Sequence, residues 1–371
     1  MIRWFRFVLG LMLTLIATMA AASDPSADEV AAIFASLKSE NDPGAAVLVI
    51  RDGRIAFLRG YGATDLRTLH KINAQTNFRL ASLTKQFTAT AVMLLVRDGK
   101  LHYDDHLTDI FPEFPAYGKP ITVRNLLNHT SGLRDYEDLM PQPRAGTPSD
   151  KIPQIHDAGV LKLLEHETSG KFPAGAKWEY SNSGYAVLAM MVEKISGEPF
   201  GQFLEQRIFT PLDMMNTIAY EKGKNEVTHR AYGHSRQRNR WRETDQSSTS
   251  AVLGDGGVYS SLEDLEKWDR ALRNHTLFSE TEIEPALTPV HPPQGEPHHP
   301  DGTPAAYGFG WFLNPYHNHK RMWHYGETVG FRTVIERFPD DKLSIIVLSN
   351  RADLNPEQLS LKVADLYLAQ R

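Results

Sequence analysis

The chain has 371 residues, no cysteine, and a formal net charge of -5 from 40 basic and 45 acidic residues. Without cysteine it has no disulfide bonds, no thiolate metal site and no cysteine nucleophile. This net negative charge is not typical of a protein that binds nucleic acid or an anionic membrane. The length exceeds one ordinary hydrophobic core, so we expect one large unit with an inserted lobe, or two domains.

The first 22 residues have the pattern of a secretory signal peptide. Arg3 and Arg6 supply a positive start, 7–17 is mostly apolar, and alanines at 20–22 form a small-residue cleavage site. An uncleaved anchor is the alternative, but the apolar run is shorter than the roughly 20 residues that a spanning helix needs. We therefore predict cleavage, a mature domain over 23–371, and no stable membrane anchor. Because exported eukaryotic proteins more often carry disulfides, we expect a bacterial periplasmic or secreted protein.

Hydrophobic periodicity and turn residues predict strands first, then a long helical middle, then strands and a closing helix. Glycine at 99 and serine-glycine at 196–197 mark the ends of two of the helices. At the start of the chain we predict a helix over 25–38 and a hairpin over 45–61. The helical middle would contain a helix from 82 to about 97, helices over 123–128, 155–167, 184–195 and 199–208, and a helix from 262 to about 273. The last part would contain strands over 307–313 and 321–324, a second hairpin over 331–349, and a helix over 356–369.

Strand pairs at both ends of the chain flank this helical middle. We therefore expect an α/β (α+β) fold in which one antiparallel sheet, built from both chain ends, is flanked by helices. The middle would form an inserted, mainly helical lobe over approximately 99–305. A cleft between the lobe and the sheet would then be the natural place for a site.

The segment Ser82-Leu83-Thr84-Lys85 is a Ser-x-x-Lys motif at the start of a predicted helix. Residues three apart share a helix face, so Lys85 would stand beside Ser82. A serine hydroxyl needs a neighbouring base to become a nucleophile, and an amine kept out of bulk water can be neutral enough to serve. The helix N-terminus would add unpaired N–H groups where an oxyanion forms. Alone, however, the motif is more often a chance pattern on an exposed helix.

Tyr180 and Asn182 form a Tyr-x-Asn on an apparent turn after a Pro-Ala-Gly segment at 173–175. A phenol near a lysine ammonium can have a lowered pKa and can shuttle a proton. The Asn182 amide could hold an amide of the substrate. For a lone instance, a buried tyrosine with a capping asparagine is the commoner explanation.

A third candidate segment, His324-Tyr325-Gly326, opens an edge-like strand. Glycine in a strand lets a ligand approach the backbone closely. The following N–H, from Glu327, could act as an oxyanion donor. For a lone histidine, a packed or surface position is the commoner alternative.

In this order and spacing, the three segments resemble the serine β-lactamase and penicillin-binding-protein superfamily. The closest resemblance is to class C β-lactamases and related serine hydrolases, which use Tyr-x-Asn in the second position. It covers roughly 45–350 and implies a β-lactamase/DD-peptidase-like fold without a cofactor. The other stretches that look like this family are 78–85, 126–133, 173–185, 256–260 and 324–331.

The resemblance assigns a role to each residue of the Ser-x-x-Lys and Tyr-x-Asn motifs. Ser82 looks like the acylated nucleophile, and Lys85 like its proton acceptor and electrostatic partner. Tyr180 looks like the general base of acylation that later activates water, and Asn182 like a binder of the substrate's amide side chain. Which group takes the proton from Ser82 stays open, because it is disputed in this superfamily.

The third motif departs from the family's Lys-Thr-Gly. His324 replaces the lysine and is largely neutral at pH 7, since its ordinary pKa is about 6.5. Tyr325 replaces a small hydroxyl residue, whereas Gly326 is retained. The N–H groups of Ser82 and Glu327 would form the oxyanion hole.

Three substrate classes remain open: a β-lactam, a D-amino-acid peptide and a carboxylic ester. We expect a small-molecule or peptide substrate and no nucleic acid, and the oligomeric state stays undetermined. One alternative is a catalytically idle penicillin-binding or scaffold protein on the same fold. Another is a metal hydrolase that uses His291, His298 and His299, although these histidines lack the ligand spacing of a metal site.

Overall fold

Both ends of the chain contribute strands to one antiparallel sheet. The computed structural model describes residues 24–37, 39–141, 147, 151–298 and 302–368. Numbered in chain order, the strands of this sheet are Ala45–Arg51 (β1), Arg54–Tyr61 (β2), Met322–Thr328 (β8), Phe331–Phe338 (β9) and Leu343–Ser349 (β10). They lie in the order β2-β1-β10-β9-β8, so β8 is an edge strand. The sheet predicted from both chain ends, with its two hairpins, is therefore confirmed.

Twelve α-helices lie in the part of the chain that the structure describes. They are Ala27–Ile33 (α1), Thr84–Arg97 (α2), Leu107–Ile110 (α3), Val123–Leu127 (α4), Tyr136–Leu139 (α5), Asp157–Glu165 (α6), Asn182–Ser196 (α7), Phe200–Leu204 (α8), Leu253–Gly256 (α9), Leu262–Arg273 (α10), Glu280–Ile283 (α11) and Pro356–Leu368 (α12). Ten of these twelve helices, α2 to α11, lie between β2 and β8 along the chain. The long helical middle is thus present.

Two smaller sheets lie within this middle and are not among the elements predicted above. Their strands are Phe78–Arg79 (β3), Ile218–Ala219 (β4), His234–Gln237 (β5), Arg240–Glu243 (β6) and Val258–Ser260 (β7). The strands β3, β7 and β4 form a three-stranded sheet, and β5 pairs with β6. Two- to four-residue strands carry too few residues to show an alternating pattern, which explains why periodicity missed them.

Side-chain alternation along β1 divides the interior into two hydrophobic cores. Ala45, Val47 and Val49 pack with α1 and α12 on one face of the sheet. The residues between them face the large core that contains α2 and α7. Because both faces are covered, β1 and β10 are buried along almost their whole length, and β10 is apolar at all but its serines.

The central helix α2 lies inside the molecule rather than on its surface. Every residue from 84 to 95 is buried, including Lys85. The helix packs against α7 and α9. α7 itself begins at the N-cap Ser181, whose hydroxyl accepts from the N–H of Gly184, and ends at Gly197 in a left-handed conformation (φ 77°). These two helices therefore hold the Ser-x-x-Lys and Tyr-x-Asn motifs in one rigid core.

One predicted strand is wrong, and some predictions fall outside the described residues. The segment 307–313 makes only isolated bridges, one of them between Tyr307 and Phe312, because Gly310 turns the chain with a φ of 75°. The residues 1–22 of the predicted signal peptide lie outside the described part, and the lobe boundaries stay a prediction. No helix in the described ranges is both long and apolar enough to cross a membrane.

Candidate active site

Ser82 lies on a 3-10 turn, Ala81–Leu83, that leads directly into α2. Leu80 anchors this turn on two sides: its N–H donates to the carbonyl of Val258 (2.9 Å), and its carbonyl accepts from Thr333 Oγ1 (2.8 Å). Ala81 has a φ of 50°, a left-handed conformation that is strained for a residue with a side chain. Because Ser82 stands at the start of the helical segment, its N–H has no intrahelical acceptor.

Lys85 stands beside Ser82, as predicted. Its Nζ donates to Ser82 Oγ (3.1 Å), to Asn182 Oδ1 (2.9 Å) and to the backbone carbonyl of Asp255 (2.9 Å). The side chain is fully buried, and burial lowers the pKa of the amine to about 8. Nearby carboxylates, of which Asp255 has the largest effect, raise this pKa and partly offset the lowering. With such a pKa about a tenth of the amine is neutral at pH 7.

Tyr180 contacts both members of the Ser-x-x-Lys motif. Its hydroxyl shares a hydrogen bond with the Ser82 side chain, and Lys85 Nζ lies 4.9 Å from the centroid of its ring. Burial of the phenol raises its pKa well above the ordinary value of 10.0. The predicted lowering of this pKa is therefore wrong, because the loss of solvent outweighs the ammonium, which faces the ring. The phenol stays protonated at neutral pH.

Asn182 is the first residue of α7 rather than part of a turn. Its Oδ1 accepts from Lys85, and its Nδ2 donates to Glu137 Oε1 at 3.4 Å. Burial, together with the charge of Asp135, raises the pKa of Glu137. The partly exposed amide of Asn182 thus connects the buried amine to an acidic group at the edge of the site.

His324 is buried in the core instead of facing open space. Its Nε2 lies 3.1 Å from the hydroxyl of Tyr307, and its Nδ1 lies 2.7 Å from the carbonyl of Tyr325. The next residue, Tyr325, is half-buried and lines a pocket with Tyr180. Successive side chains of a strand point to opposite faces, so the two residues have different surroundings.

Gly326 brings β8 against the Ser82 turn. A Cβ at this position would lie 2.2 Å from the carbonyl oxygen of Leu80 and 2.3 Å from Thr333 Oγ1, so only glycine fits. On the outer side of β8, Trp323 exchanges two backbone hydrogen bonds with Phe312 (2.8 and 2.9 Å). Since strand residues two apart present their backbone groups on the same side, the N–H of Glu327 also points outward from the sheet, on the edge that meets the turn.

His129 was not predicted as a site residue, yet it contacts the Tyr180 segment from both sides. Its carbonyl accepts from the N–H of Glu179 (3.0 Å), and its Nδ1 accepts from the N–H of Ser181 (3.1 Å). Its ring centroid lies 4.3 Å from that of Tyr180. Burial lowers the pKa of the imidazole well below 6.5, so it is neutral. The available signal was a histidine inside the family-like stretch 126–133.

Two buried aspartates that contact or belong to α9 were also missed. Asp157 accepts from the N–H groups of Leu253 (2.7 Å) and Gly254 (2.9 Å), which begin α9. Asp255 on the same helix accepts from the hydroxyl of Tyr136 (2.8 Å). Burial raises the pKa of Asp157 to about 7 and that of Asp255 to about 6. Residues 157 and 255 are far apart in the sequence, so only the fold shows that both lie at α9. The backbone carbonyl of Asp255 in this helix accepts from Lys85 Nζ.

A pocket of about 310 Å³ opens beside Tyr180. Four aromatic side chains contribute most of its wall, and three polar residues complete the lining. The lining residues are Lys177, Trp178, Glu179, Tyr180, His298, Phe312 and Tyr325. Tyr180 connects this pocket to the nucleophile, because it lines the pocket and also contacts the Ser82 side chain.

The loop histidines do not come together with other ligands. His291 Nδ1 lies 2.9 Å from Glu296 Oε2, whereas His298 lines the pocket beside Tyr180. His299 lies outside the described residues. Across the described ranges, no three His, Cys, Asp or Glu side chains cluster closely enough to hold a metal ion.

The chain is similar to known proteins over most of its length. Residues 30–370 match the model of the family described as Beta-lactamase. Penicillin-binding protein 4* of Bacillus subtilis is 33% identical over 349 residues, which cover 91% of this chain and 74% of that protein. A penicillin binding protein from Bacillus halodurans superposes with a TM-score of 0.76 at 25% identity, covering 91% of this chain and 98% of the other. The D-amino acid amidase from Ochrobactrum anthropi SV3 shares the fold, with a TM-score of 0.76 at 22% identity and coverage of 92% and 97%.

Proposed function

The chain belongs to the β-lactamase family of serine hydrolases, which act on amides and esters, and from this premise we propose that Ser82 is the nucleophile of an exported hydrolase working through an acyl-enzyme. One observation carries the proposal: a fully buried lysine, Lys85, holds its Nζ 3.1 Å from Ser82 Oγ. Burial keeps part of the amine neutral, since Nζ contacts a hydroxyl, a side-chain amide and a backbone carbonyl. A neutral amine at hydrogen-bond distance is what a serine needs as its base.

In the acylation step, neutral Lys85 takes the proton of Ser82 as Oγ bonds to the substrate carbonyl carbon. The N–H groups of Ser82 and Glu327 donate to the oxyanion that forms. The C–N or C–O bond then breaks, and the protonated phenol of Tyr180 gives its proton to the leaving group. Lys85 returns the first proton to Tyr180, which leaves both groups in their starting state. Water then repeats the sequence on the acyl-enzyme.

This assignment makes Lys85 the base and Tyr180 the acid of acylation, which differs from the role expected for Tyr180 from the resemblance. The reason is electrostatic. Burial lowers the pKa of Lys85 to about 8 but raises that of Tyr180 above 10.0. Asn182 is assigned to the substrate's amide, because its Nδ2 side is only weakly engaged, at 3.4 Å from Glu137.

An ester or a D-amino-acid peptide fits the third motif better than a β-lactam does. A family lysine would attract the carboxylate of a β-lactam, whereas this chain has at that position the buried His324, whose Nε2 lies beside the Tyr307 hydroxyl. Relatives named as penicillin-binding proteins nevertheless support acylation of Ser82 by a penicillin. We therefore propose that β-lactams acylate the enzyme and are released slowly.

Covalent labelling tests the proposal. The parent, Ser82→Ala and the control Ser196→Ala, which changes a hydroxyl near the far end of α7, would be treated with a fluorophosphonate and a fluorescent penicillin. We expect label on the parent and the control and none on Ser82→Ala. A parent that neither probe labels would contradict the assignment of Ser82.

A substrate panel then separates the classes. Nitrocefin, p-nitrophenyl esters and D-amino-acid amides would be assayed with the parent, Lys85→Ala and Tyr180→Phe. Each substitution should lower kcat on the order of 10² or more, the scale of lost acid–base catalysis. A near-parent rate in either variant would refute the role given to that residue. Label without turnover of any substrate would identify a penicillin-binding or scaffold protein instead.

A further inference from the structure

We propose that the pocket beside Tyr180 binds an aromatic group of the substrate, and that Tyr325 is the residue that selects it. The inference rests on the proposed hydrolase function and extends it from a reaction to a class of substrate. It follows from three features of the described residues: the composition of the pocket wall, the way in which Tyr325 is held, and the position of the pocket relative to Ser82.

The wall of the pocket is made of flat, apolar surfaces. Trp178, Tyr180, Phe312 and Tyr325 all contribute rings. The volume of about 310 Å³ is at the lower end of the range for small-molecule sites, so it suits one ring system rather than a long chain. Aromatic rings pack against one another in offset or edge-to-face geometry, which an alkyl group does not reproduce.

The polar lining does not require a polar ligand. Lys177 Nζ lies 3.3 Å from Glu179 Oε2, so these two charges already satisfy each other. Glu179 also accepts from Lys171 at 2.7 Å. A bound group therefore meets paired charges at the rim and rings inside, an arrangement that favours an apolar group.

Tyr325 is held rigidly by its neighbours on β8. Trp323 and Tyr325 alternate along β8 and share one face, and Arg321 directly precedes the strand. The Arg321 guanidinium lies 3.9 Å from the centroid of the Trp323 ring, which in turn stacks on Phe312 with centroids 4.9 Å apart. Phe312 and Tyr325 are nearly parallel, at 18°. A preordered wall loses little conformational entropy when a ring binds to it.

The pocket adjoins the reacting bond. Tyr180 lines the pocket and also shares a hydrogen bond with the Ser82 side chain. A ring in the pocket would therefore be attached within a few bonds of the carbonyl carbon that Ser82 attacks. It could belong to the acyl part or to the leaving group, and the two cases are separated by experiment.

Three esters provide the test when their hydrolysis is followed by pH-stat. Methyl acetate is the reference, methyl phenylacetate places a ring on the acyl side, and phenyl acetate places it on the leaving group. For each enzyme form, kcat/KM of either aromatic ester is divided by that of methyl acetate. The comparison of this ratio between variant and parent cancels the different chemical reactivities of the esters.

We expect Tyr325→Ala to lower one of the two ratios about tenfold or more, mainly through KM, since a pocket contact of this size supports that degree of discrimination. The ester that loses its advantage identifies the side on which the ring lies. Tyr325→Phe keeps the ring and should retain the parental ratios. The control Tyr316→Ala removes a half-buried tyrosine outside the pocket and should also retain them.

Failure of this inference is distinguishable from failure of the proposed function. If Tyr325→Ala is labelled by a fluorophosphonate at Ser82 but leaves both ratios within twofold of the parent, the pocket does not select aromatic groups. If the parent itself is not labelled, the hydrolase assignment fails first. Should the alanine variant not fold, Tyr325→Leu fills the space without a ring, and the same loss of ratio is expected from it.

Discussion

Replacing His129 by alanine should lower kcat, although this residue takes no direct part in the proposed reaction. The imidazole is neutral and buried, so it does not act as an acid or base. It holds Glu179 and Ser181, the two neighbours of Tyr180, through its carbonyl and its Nδ1. We therefore treat His129 as a positioning residue for the phenol of Tyr180.

The magnitude follows from what alanine removes. The buried N–H of Ser181 would lose its acceptor, which costs about 1–3 kcal/mol. Packing against the rings of Tyr180 and Tyr307, with centroids 4.3 and 4.5 Å away, would be lost as well. His129 has a φ of 62°, and alanine would retain that left-handed strain. A shift of Tyr180 by about 1 Å would then lower kcat on the order of 10²-fold.

His129→Asn and His275→Ala are the matched variants. Asparagine tolerates a left-handed backbone and offers an acceptor to Ser181, so it should recover part of the rate. His275 also has a positive φ, 52°, and is remote from the site, so its alanine variant should keep the parental kcat. The assay is kcat and KM for an aryl ester, a pH–rate profile, and thermal unfolding.

A specific result would refute this reasoning. If His129→Ala remains folded and its kcat stays within threefold of the parent, the residue does not position Tyr180. A changed shape of the pH–rate profile in His129→Asn would point to a direct acid–base role instead. Loss of Tm with an unchanged kcat would leave His129 a purely structural residue.

Three further outcomes follow from single contacts. Since neutral Lys85, with a pKa of about 8, is the active form, kcat/KM should rise about tenfold per pH unit below that value and level off above it; a flat profile between roughly pH 6 and 9 would contradict its role as base. Gly326→Ala should lower the labelling rate on the order of 10²-fold while the protein stays folded, because the new Cβ would lie 2.2 Å from the carbonyl of Leu80; labelling at the parental rate would show that β8 and the turn are not in contact. Glu336→Gln should reduce the free energy of unfolding by about 3 kcal/mol in urea titration, because it removes the buried partner of Arg321; an unchanged midpoint would show that Glu357 compensates.

The strands and helices with strong periodicity were predictable from the residues alone. The apolar β10 and the amphipathic α10 are long enough for their burial pattern to show in the sequence. The segment 307–313 has a comparable apolar content, but Gly310 turns it. Composition does not reveal whether a glycine adopts a positive φ, since that depends on what packs around it.

Part of the site was predictable for a local reason. Ser82 and Lys85 lie one helical turn apart, so their contact follows from helix geometry once α2 exists. Their closeness to Tyr180 came from a resemblance of motifs and not from spacing. The electrostatics came from neither, because the pKa of a buried phenol or amine depends on how completely the tertiary structure removes water.

What the sequence determined by itself is therefore a set of local relations: the nucleophile one helical turn away from its lysine, and two terminal hairpins that need a common sheet. Only the tertiary structure decided which distant residues complete the site. It placed His129 in contact with the residues before and after Tyr180, and the backbone carbonyl of Asp255 against Lys85 Nζ. It also placed the rings of Phe312 and Tyr325 in one wall of the pocket. These contacts join residues far apart in the chain, and their energies arise from burial, which no single segment of the sequence contains.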